Sequence, residues 1–355
     1  MADDLTLKVN NTTLSGWTSV RVTRGVERMP SDFDISLTER FPDDASIVVA
    51  QPGDKCQVLL GSDVVITGYI NRFNSTIDKA NHTIRINGRS MSQDLVDCSA
   101  EWPTGQISGT NALDVAQRLA KPYGISVSST AGAGPQIPQF NLIIGESAFD
   151  VIERVCRYSG LLVYDKPDGS VVLAQTGSAR AASGFAQGMN AELASFLWSD
   201  DEQFSEYDVF GLSMNTFVDA GVLNQPLAKV TDPNVKRRRL KYFVAESGAA
   251  GYDLSLKRAY WEAARRIGRS WKLTLRTDGW RDSAGKLWEP NTIAQVSFSS
   301  LHLQAKELCI GEVTYRRDDQ GTTAEIALML PDAFLPQPVN ILPFLRDAVP
   351  AGQFR

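Results

Sequence analysis

Phe33-Asp34-Ile35-Ser36-Leu37 alternates apolar and polar residues at the period of a half-buried strand, and Trp271-Lys272-Leu273-Thr274-Leu275, about 238 positions later, repeats the alternation. The match continues downstream at the same spacing. Gln51-Pro52-Gly53-Asp54 and Glu289-Pro290-Asn291-Thr292 each place Pro before a residue that tolerates positive φ, as a tight turn requires. Each turn feeds a strand, Cys56 to Leu60 or Ala294 to Phe298. Val65 to Ile70 and Leu308 to Val313 then read as apolar strands interrupted by Gly68 and Gly311, where a bulge or bend is expected. Polar hairpins follow at Asp78-Lys79-Ala80-Asn81 and Asp318-Asp319-Gln320-Gly321, before Ile84-Arg85-Ile86 and Ile326-Ala327-Leu328 resume the alternation. Short strands in this order predict a small barrel or sandwich, written twice in one chain.

The chain has 355 residues, 43% of them hydrophobic, enough for two to four domains of a soluble globular protein. No apolar run reaches the length of a membrane helix, and Met1-Ala2-Asp3-Asp4 opens no signal peptide, so no stable membrane insertion is expected and the chain is expected to start in the cytosol. Cys56, Cys98, Cys156 and Cys309 are scattered, which argues against a disulfide framework or a structural metal. The net charge of −5 does not suit a protein that grips phosphate backbones.

Between the two β-units the period becomes helical. Ala112, Leu113, Ala116, Leu119 and Ala120 form a stripe capped by Thr110 or Asn111 and ended by Gly124, before a strand from Ile125. The same order returns with Ser147 as cap, Ala148, Phe149, Ile152, Val155 and Cys156 as stripe, Gly160 as stop, and strands Leu161–Tyr164 and Val171–Leu173 around a Pro167-Asp168-Gly169 turn. Ser128 to Gln139 reads as a loop and Thr176 to Gly188 as a linker. Strands resume near Phe204–Val209, and an amphipathic helix is expected over Leu254 to Ile267, with Ala259, Tyr260, Ala263 and Ile267 buried and Gly268 ending it. The expected divisions are 1–95, a first β-barrel; 96–180, an α/β module; 181–330, a second β-barrel with its helix near 254–267; and 331–355, a Pro-rich arm. The arm carries apolar residues that pack on their own domain or dock a partner.

No residue is singled out as catalytic, cofactor-binding or metal-binding. His82 and His302 are isolated from any cluster at ligand spacing, and no nucleophile elbow, phosphate loop or dinucleotide fingerprint is present. Acidic runs at Asp43-Asp44, Asp200-Asp201-Glu202 and Asp318-Asp319 sit in polar turns, which leaves a carbohydrate-active β-scaffold enzyme as a weak alternative. Lys236-Arg237-Arg238-Arg239 suits a solvated edge or nucleic-acid contact, and better still a meeting with the acidic stretch Asp200 to Asp208 of a neighbouring subunit.

Arg265-Arg266, Leu273, Leu275, Gly279-Trp280-Arg281-Asp282, Gly285-Lys286-Leu287-Trp288 and Pro290-Asn291 resemble the second-barrel signature of the phage late control protein D family, the baseplate hubs of contractile tails. The duplicated helix-Gly-strand unit resembles that family's middle region, so the likeness spans nearly the whole chain. It implies a mainly β fold with an α+β insert, in which two similar tube-like barrels are joined by a small helix-strand module. It further implies a non-enzymatic virion protein, assembled in the host cytoplasm. Three copies would form a ring joining a six-fold tail tube to a three-fold membrane-piercing spike, with other baseplate proteins around it and a channel through which DNA is ejected without sequence-specific binding. The base of a secretion-system spike is the related alternative. By analogy with relatives in which hub and spike are fused, the arm from Pro331 to Arg355 is expected near the spike.

Overall fold

A computed structural model describes residues 4–10, 12–39, 50–79, 82–177, 179–211, 227–245 and 252–338. Asp43-Asp44, the Ala80-Asn81 turn and the arm beyond Pro338 lie outside the described residues. The first unit contains β1 (Leu5–Val9), β2 (Thr12–Leu14), β3 (Ser19–Gly25), β4 (Asp32–Glu39), β5 (Lys55–Leu60), β6 (Asp63–Ile77) and β7 (His82–Ser90). The middle module contains α1 (Gln93–Asp97), β8 (Gln106–Thr110), α2 (Ala112–Ala120), β9 (Val127–Ser129), β10 (Ile137–Asn141), α3 (Ala148–Tyr158), β11 (Leu162–Asp165) and β12 (Val171–Ala174). After it come β13 (Ala179–Arg180), β14 (Phe185–Ala186), β15 (Ala191–Trp198), β16 (Glu206–Gly211), β17 (Ala228–Thr231), β18 (Leu240–Ala245), α4 (Tyr252–Ser270), β19 (Trp271–Thr277), β20 (Thr292–Phe298), β21 (Leu303–Asp318) and β22 (Gly321–Met329).

The duplication is visible in the strand order. β4-β7-β6-β5 and β19-β22-β21-β20 are the same antiparallel sequence of neighbours, and each is flanked by one further antiparallel strand, β3 or β15. The two sets fuse into one 14-stranded sheet because β3 pairs with β21. Among the described residues the path of pairings does not return to its first strand. One contiguous cluster of buried side chains, including Phe33 and Ile35 of β4 and Leu273 and Leu275 of β19, spans both units.

The tight turns match as the spacing predicts. Gly53 (φ +94°) and Asn291 (φ +61°) each donate a backbone hydrogen bond, of 2.8 Å, to the carbonyl of Ile70 and Ile310 respectively. The register of the strands is shifted, however. The bulge of β6 falls at Asn71 and that of β21 at Gly311, which makes Phe73 the counterpart of Val313 and, through cross-strand partners, Ile86 that of Ile326 and Ile35 that of Leu275. Gly68 and Gly311 are therefore not equivalent. Gly68 lies against the Arg89 carbonyl, where an added Cβ would stand 1.9 Å from the oxygen, whereas a Cβ on Gly311 would meet the Phe334 ring at 2.4 Å. In β4 and β7 the shift is two residues, which keeps every side chain on its own face, so alternation alone cannot detect it; in β6 it is three, and the two glycines stand at different places relative to their bulges.

In the middle module Asn111 caps α2 by accepting from Asp114 N–H, and Ser147 and Asp150 form a capping box on α3. Gly124 and Gly160 follow with φ of +67° and +66°. β11 and β12 pair antiparallel, with β9 added parallel to β12. The loop expected over Ser128 to Gln139 is bounded by β9 and β10. The linker expected over Thr176 to Gly188 carries β13 and β14, which pair parallel with β20. α4 is longer than expected, and Gly268 lies within it. A Cβ there would meet Ala333 N at 2.2 Å, so the glycine admits the chain after β22 rather than ending the helix. Ala259 and Ala263 are buried, but Tyr260 is exposed. The described start of the arm packs on its own chain, with Ala333 and Phe334 buried and the Leu335 carbonyl accepting from Trp261 Nε1 (2.7 Å) and Arg265 Nη1 (2.8 Å).

Candidate assembly surface

The joint between the two units is built from the distal half of β21. Beyond the bulge, Glu312 to Arg317 pair on one side with β22 and on the other with β3, placing Tyr315 opposite Val22 and Thr314 opposite Thr23. The hydroxyls of Thr23 and Thr314 lie 3.1 Å apart in the buried joint. Tyr315 is fully buried and donates to the Trp288 carbonyl; burial pushes its phenol up. Trp280 Nε1 donates to the Thr323 carbonyl at 2.9 Å, and Arg281 crosses to the first unit, reaching Asp63 (2.5 Å) and the Leu60 carbonyl (3.0 Å). Asp282 accepts from the backbone N–H groups of Ala182, Ala284 and Lys286 and so shapes its own turn. The Trp280-Arg281-Asp282 signature is thus a packing and bridging device. Glu27 of the first unit adds a clasp to α4 through Arg265 (2.5 Å) and Arg269 (2.7 Å).

One strand of the middle module holds both units. On β11, buried Asp165 accepts from Ser31 N (2.8 Å), Ser31 Oγ (2.7 Å), Ser92 Oγ (3.1 Å) and Ser90 Oγ, all from the first unit or the segment just after it. Its neighbour Tyr164 contacts buried Asn291 of the second unit at 3.2 Å; Asn291 also donates to the Gln175 carbonyl and accepts from Gly177 N–H. A carboxylate satisfied by four donors has little freedom to move, so β11 is held firmly to the first unit here.

Two strand edges contrast with the sealed joint. Apart from an isolated bridge between Ala191 and Gln187, β15 pairs only with β19, and the distal half of β6, Arg72 to Ile77, pairs only with β7 among the described residues. Both edges expose apolar side chains. Ile77 is 75% accessible and Trp198 68%, with Leu193 and Leu197 also exposed on β15 and Met189 just before it. Unpaired apolar edges are aggregation-prone unless something covers them.

The residues weighed for chemistry are dispersed. His82 Nε2 lies 2.7 Å from Ser75 Oγ on a strand pair, and His302, at φ +56°, closes a 3-10 turn. Cys56, Cys156 and Cys309 are buried, Cys98 is exposed, and burial pushes the Cys56 and Cys309 thiols up to about 12. Among the described residues no group of three or more His, Cys, Asp or Glu is placed to hold a metal ion, and no helix is long and apolar enough to cross a membrane. The basic run meets the acidic stretch of its own chain: Arg237 pairs with Asp200 at 2.7 Å and Arg239 donates to the Asp201 carbonyl at 2.6 Å. The two segments flank a short three-stranded sheet, β17-β16-β18, which folds them together.

Three family models match successive stretches of the chain. Residues 4–90 match the N-terminal domain of Mu phage baseplate assembly protein GpP-like proteins, 92–175 the second domain of baseplate hub protein gp44-like proteins, and 252–337 the fourth domain of Mu phage baseplate assembly protein GpP. The fold and these matches define a structural protein of the phage tail baseplate, and hence a component of the virion tail. Within that class the chain is 28% identical over 344 residues to baseplate hub protein gp44 of Escherichia phage Mu, spanning 94% of this chain and 90% of that one. The chain thus resembles the Mu-type baseplate hub proteins over nearly its whole length. The 43 kDa tail protein of prophage MuSo2 from Shewanella oneidensis superposes with a TM-score of 0.83 at 29% identity, over 95% of this chain and 100% of that one. An Escherichia coli component of the type VI secretion system shares the fold at a TM-score of 0.58 and 9% identity, over 94% of this chain and 79% of that one.

Proposed function

We propose that three copies of this chain form a ring that adapts a six-fold tail tube to a three-fold spike and leaves a central channel for DNA ejection. The observation that carries this reading is the duplicated strand order. Two similar units per chain give three chains six near-equivalent positions, the smallest count that satisfies both symmetries. The spike, the tube and other baseplate proteins are the proposed neighbours, and DNA passes without sequence-specific contacts, in keeping with the net charge of −5.

We read the role as structural and non-catalytic, and the likeness to baseplate hub proteins supports that reading. The divisions near residues 95, 180 and 330 are likewise our reading, in line with family matches ending at 90, 175 and 337. A phage tail is favoured over a secretion spike because the relatives near 30% identity are phage and prophage tail proteins, whereas the secretion component shares only the fold. Light scattering of the purified chain, alone and with a spike protein, tests the stoichiometry. Three times the chain mass is expected; a monomer under both conditions overturns the ring.

A further inference from the structure

The joint inside the chain is a template for the joint between chains. β3 seals the distal half of β21, and the duplication assigns each of these edges a counterpart: β15 stands where β3 does, and the distal half of β6 stands where that of β21 does. Both counterparts lack a partner on the matching side among the described residues. They lie at different places in the sheet path, so β6 of one copy is available to β15 of another. We propose that β15 of one subunit pairs antiparallel with Arg72–Ile77 of the next, in the register that places Ser75 opposite Phe196, Thr76 opposite Ser195 and Ile77 opposite Ala194.

The register follows residue by residue from the template. Val22 pairs with Phe33 and Phe196 with Leu273, and those partners are equivalent, so Phe196 is the counterpart of Val22. Ser75 is the counterpart of Tyr315 by its position after the bulge. Because Tyr315 faces Val22, Ser75 faces Phe196, and by the same reasoning Phe73 faces Trp198 and Asn74 faces Leu197. The side chains fit this assignment. Val313 and Tyr315 are fully buried by the template joint, while their counterparts Phe73 and Ser75 are half-buried and exposed. The exposed Ile77 and Trp198 would both be covered, and Phe73 against Trp198 makes an aromatic cross-strand pair. Charges agree at both ends: Arg72 reaches the end of β15, where Ser199 leads into Asp200 and Asp201, and Lys79 approaches Glu192. The contact is head to tail, the kind that closes into a ring when repeated.

The pairing rests on the proposed trimer, and the experiment separates the two. In a Cys98→Ser background, the pairs Thr76→Cys with Ser195→Cys and Asn74→Cys with Leu197→Cys are in register, whereas Asn74→Cys with Ser195→Cys is a diagonal two residues off. Each protein is sized by light scattering, oxidised and run on a denaturing gel. Trimers that yield a covalent three-chain band with the in-register pairs, and little with the diagonal, are expected. Trimers that cross-link only through the diagonal, or not at all, overturn the pairing and leave the trimer standing. A monomer in every variant and in the Cys98→Ser parent overturns both. As a second readout, Ile77→Asp and Trp198→Asp, on side chains already exposed in the single chain, are expected to keep its circular dichroism and weaken trimer association ~10-fold or more; trimers of unchanged stability overturn the pairing.

Discussion

The distal halves of β6 and β21 are the same piece of architecture in different surroundings. Each follows a bulge, each runs along a returning strand, yet Val313 and Tyr315 are fully buried where Phe73 is half-buried and Ser75 exposed. The difference lies in the strand on the far side: β21 has β3, while the same stretch of β6 has no partner among the described residues. Burial at this position is a property of the joint, not of the strand, and the composition follows it. At the two equivalent inward positions the sealed copy carries Val313 and Tyr315 and the open copy Phe73 and Ser75.

The largest test of that contrast is truncation on each side. Tyr315→Ala opens a cavity at the joint and removes the donor to the Trp288 carbonyl, and is expected to cost about 3–5 kcal/mol in denaturant unfolding. Ser75→Ala at the equivalent open position is expected within about 0.5 kcal/mol of the parent for the single chain. Equal costs would erase the distinction between the two edges.

The next effect probes how rigidly the units are tied. Asp165→Ala leaves the Ser31 hydroxyl and backbone N–H without their acceptor and Ser90 and Ser92 with only each other, and is expected to cost about 2–4 kcal/mol. Local amide exchange should rise at Ser31 and Ser90 before the second unit loosens. Gly68→Ala follows, at roughly 1–3 kcal/mol, because its Cβ would collide with the Arg89 backbone of β7, whereas the second unit holds Leu308 at the corresponding place. Thermal melts of the two variants check the order.

The smallest effect is electrostatic and belongs to the first unit. Burial alone would raise the Asp34 carboxyl, but the Arg85 guanidinium, bonded at 2.7 Å, and nearby Arg21 hold it below the usual carboxylate value. A lowered acid contributes stability that is fully present above its unfolded pKa and lost as pH falls through the folded one. Because Arg85 is largely exposed, the pair is worth only about 0.5–1 kcal/mol. Asp34→Asn is expected to lower stability by that amount at neutral pH and to flatten the acid arm of the stability curve; an unchanged acid arm would remove this role. The second unit has Thr274 at this position and no counterpart to the effect.

The same contrast explains what could be read from the chain. The strand alternation at Phe33 and Trp271, the turns at Gly53 and Asn291, and the caps at Asn111 and Ser147 are local patterns, and the structure realises each of them. The register of β4 and β7 was hidden, because a period of two is blind to a shift of two; that of β6 was hidden because the glycine, not the bulge, was matched. β15 was hidden because its alternation breaks at the irregularity between Ala191 and Leu193, and because its outer side chains are apolar, as an edge awaiting a partner would have them. Gly268 looked like a helix stop because a glycine that admits a neighbouring backbone and one that ends a helix are the same letter. The signature at Trp280-Arg281-Asp282 was visible, but its role in bridging Leu60 and Asp63 depends on contacts more than 200 residues away in sequence.

The central claim is that two near-equivalent units per chain let three chains present six positions around a channel. Electron micrographs of the purified protein, averaged without imposed symmetry, test it most directly. The account predicts a ring of six similar lobes around a central hole, alternating as two kinds of unit. A particle without a hole, or a ring whose lobes do not number six, contradicts it.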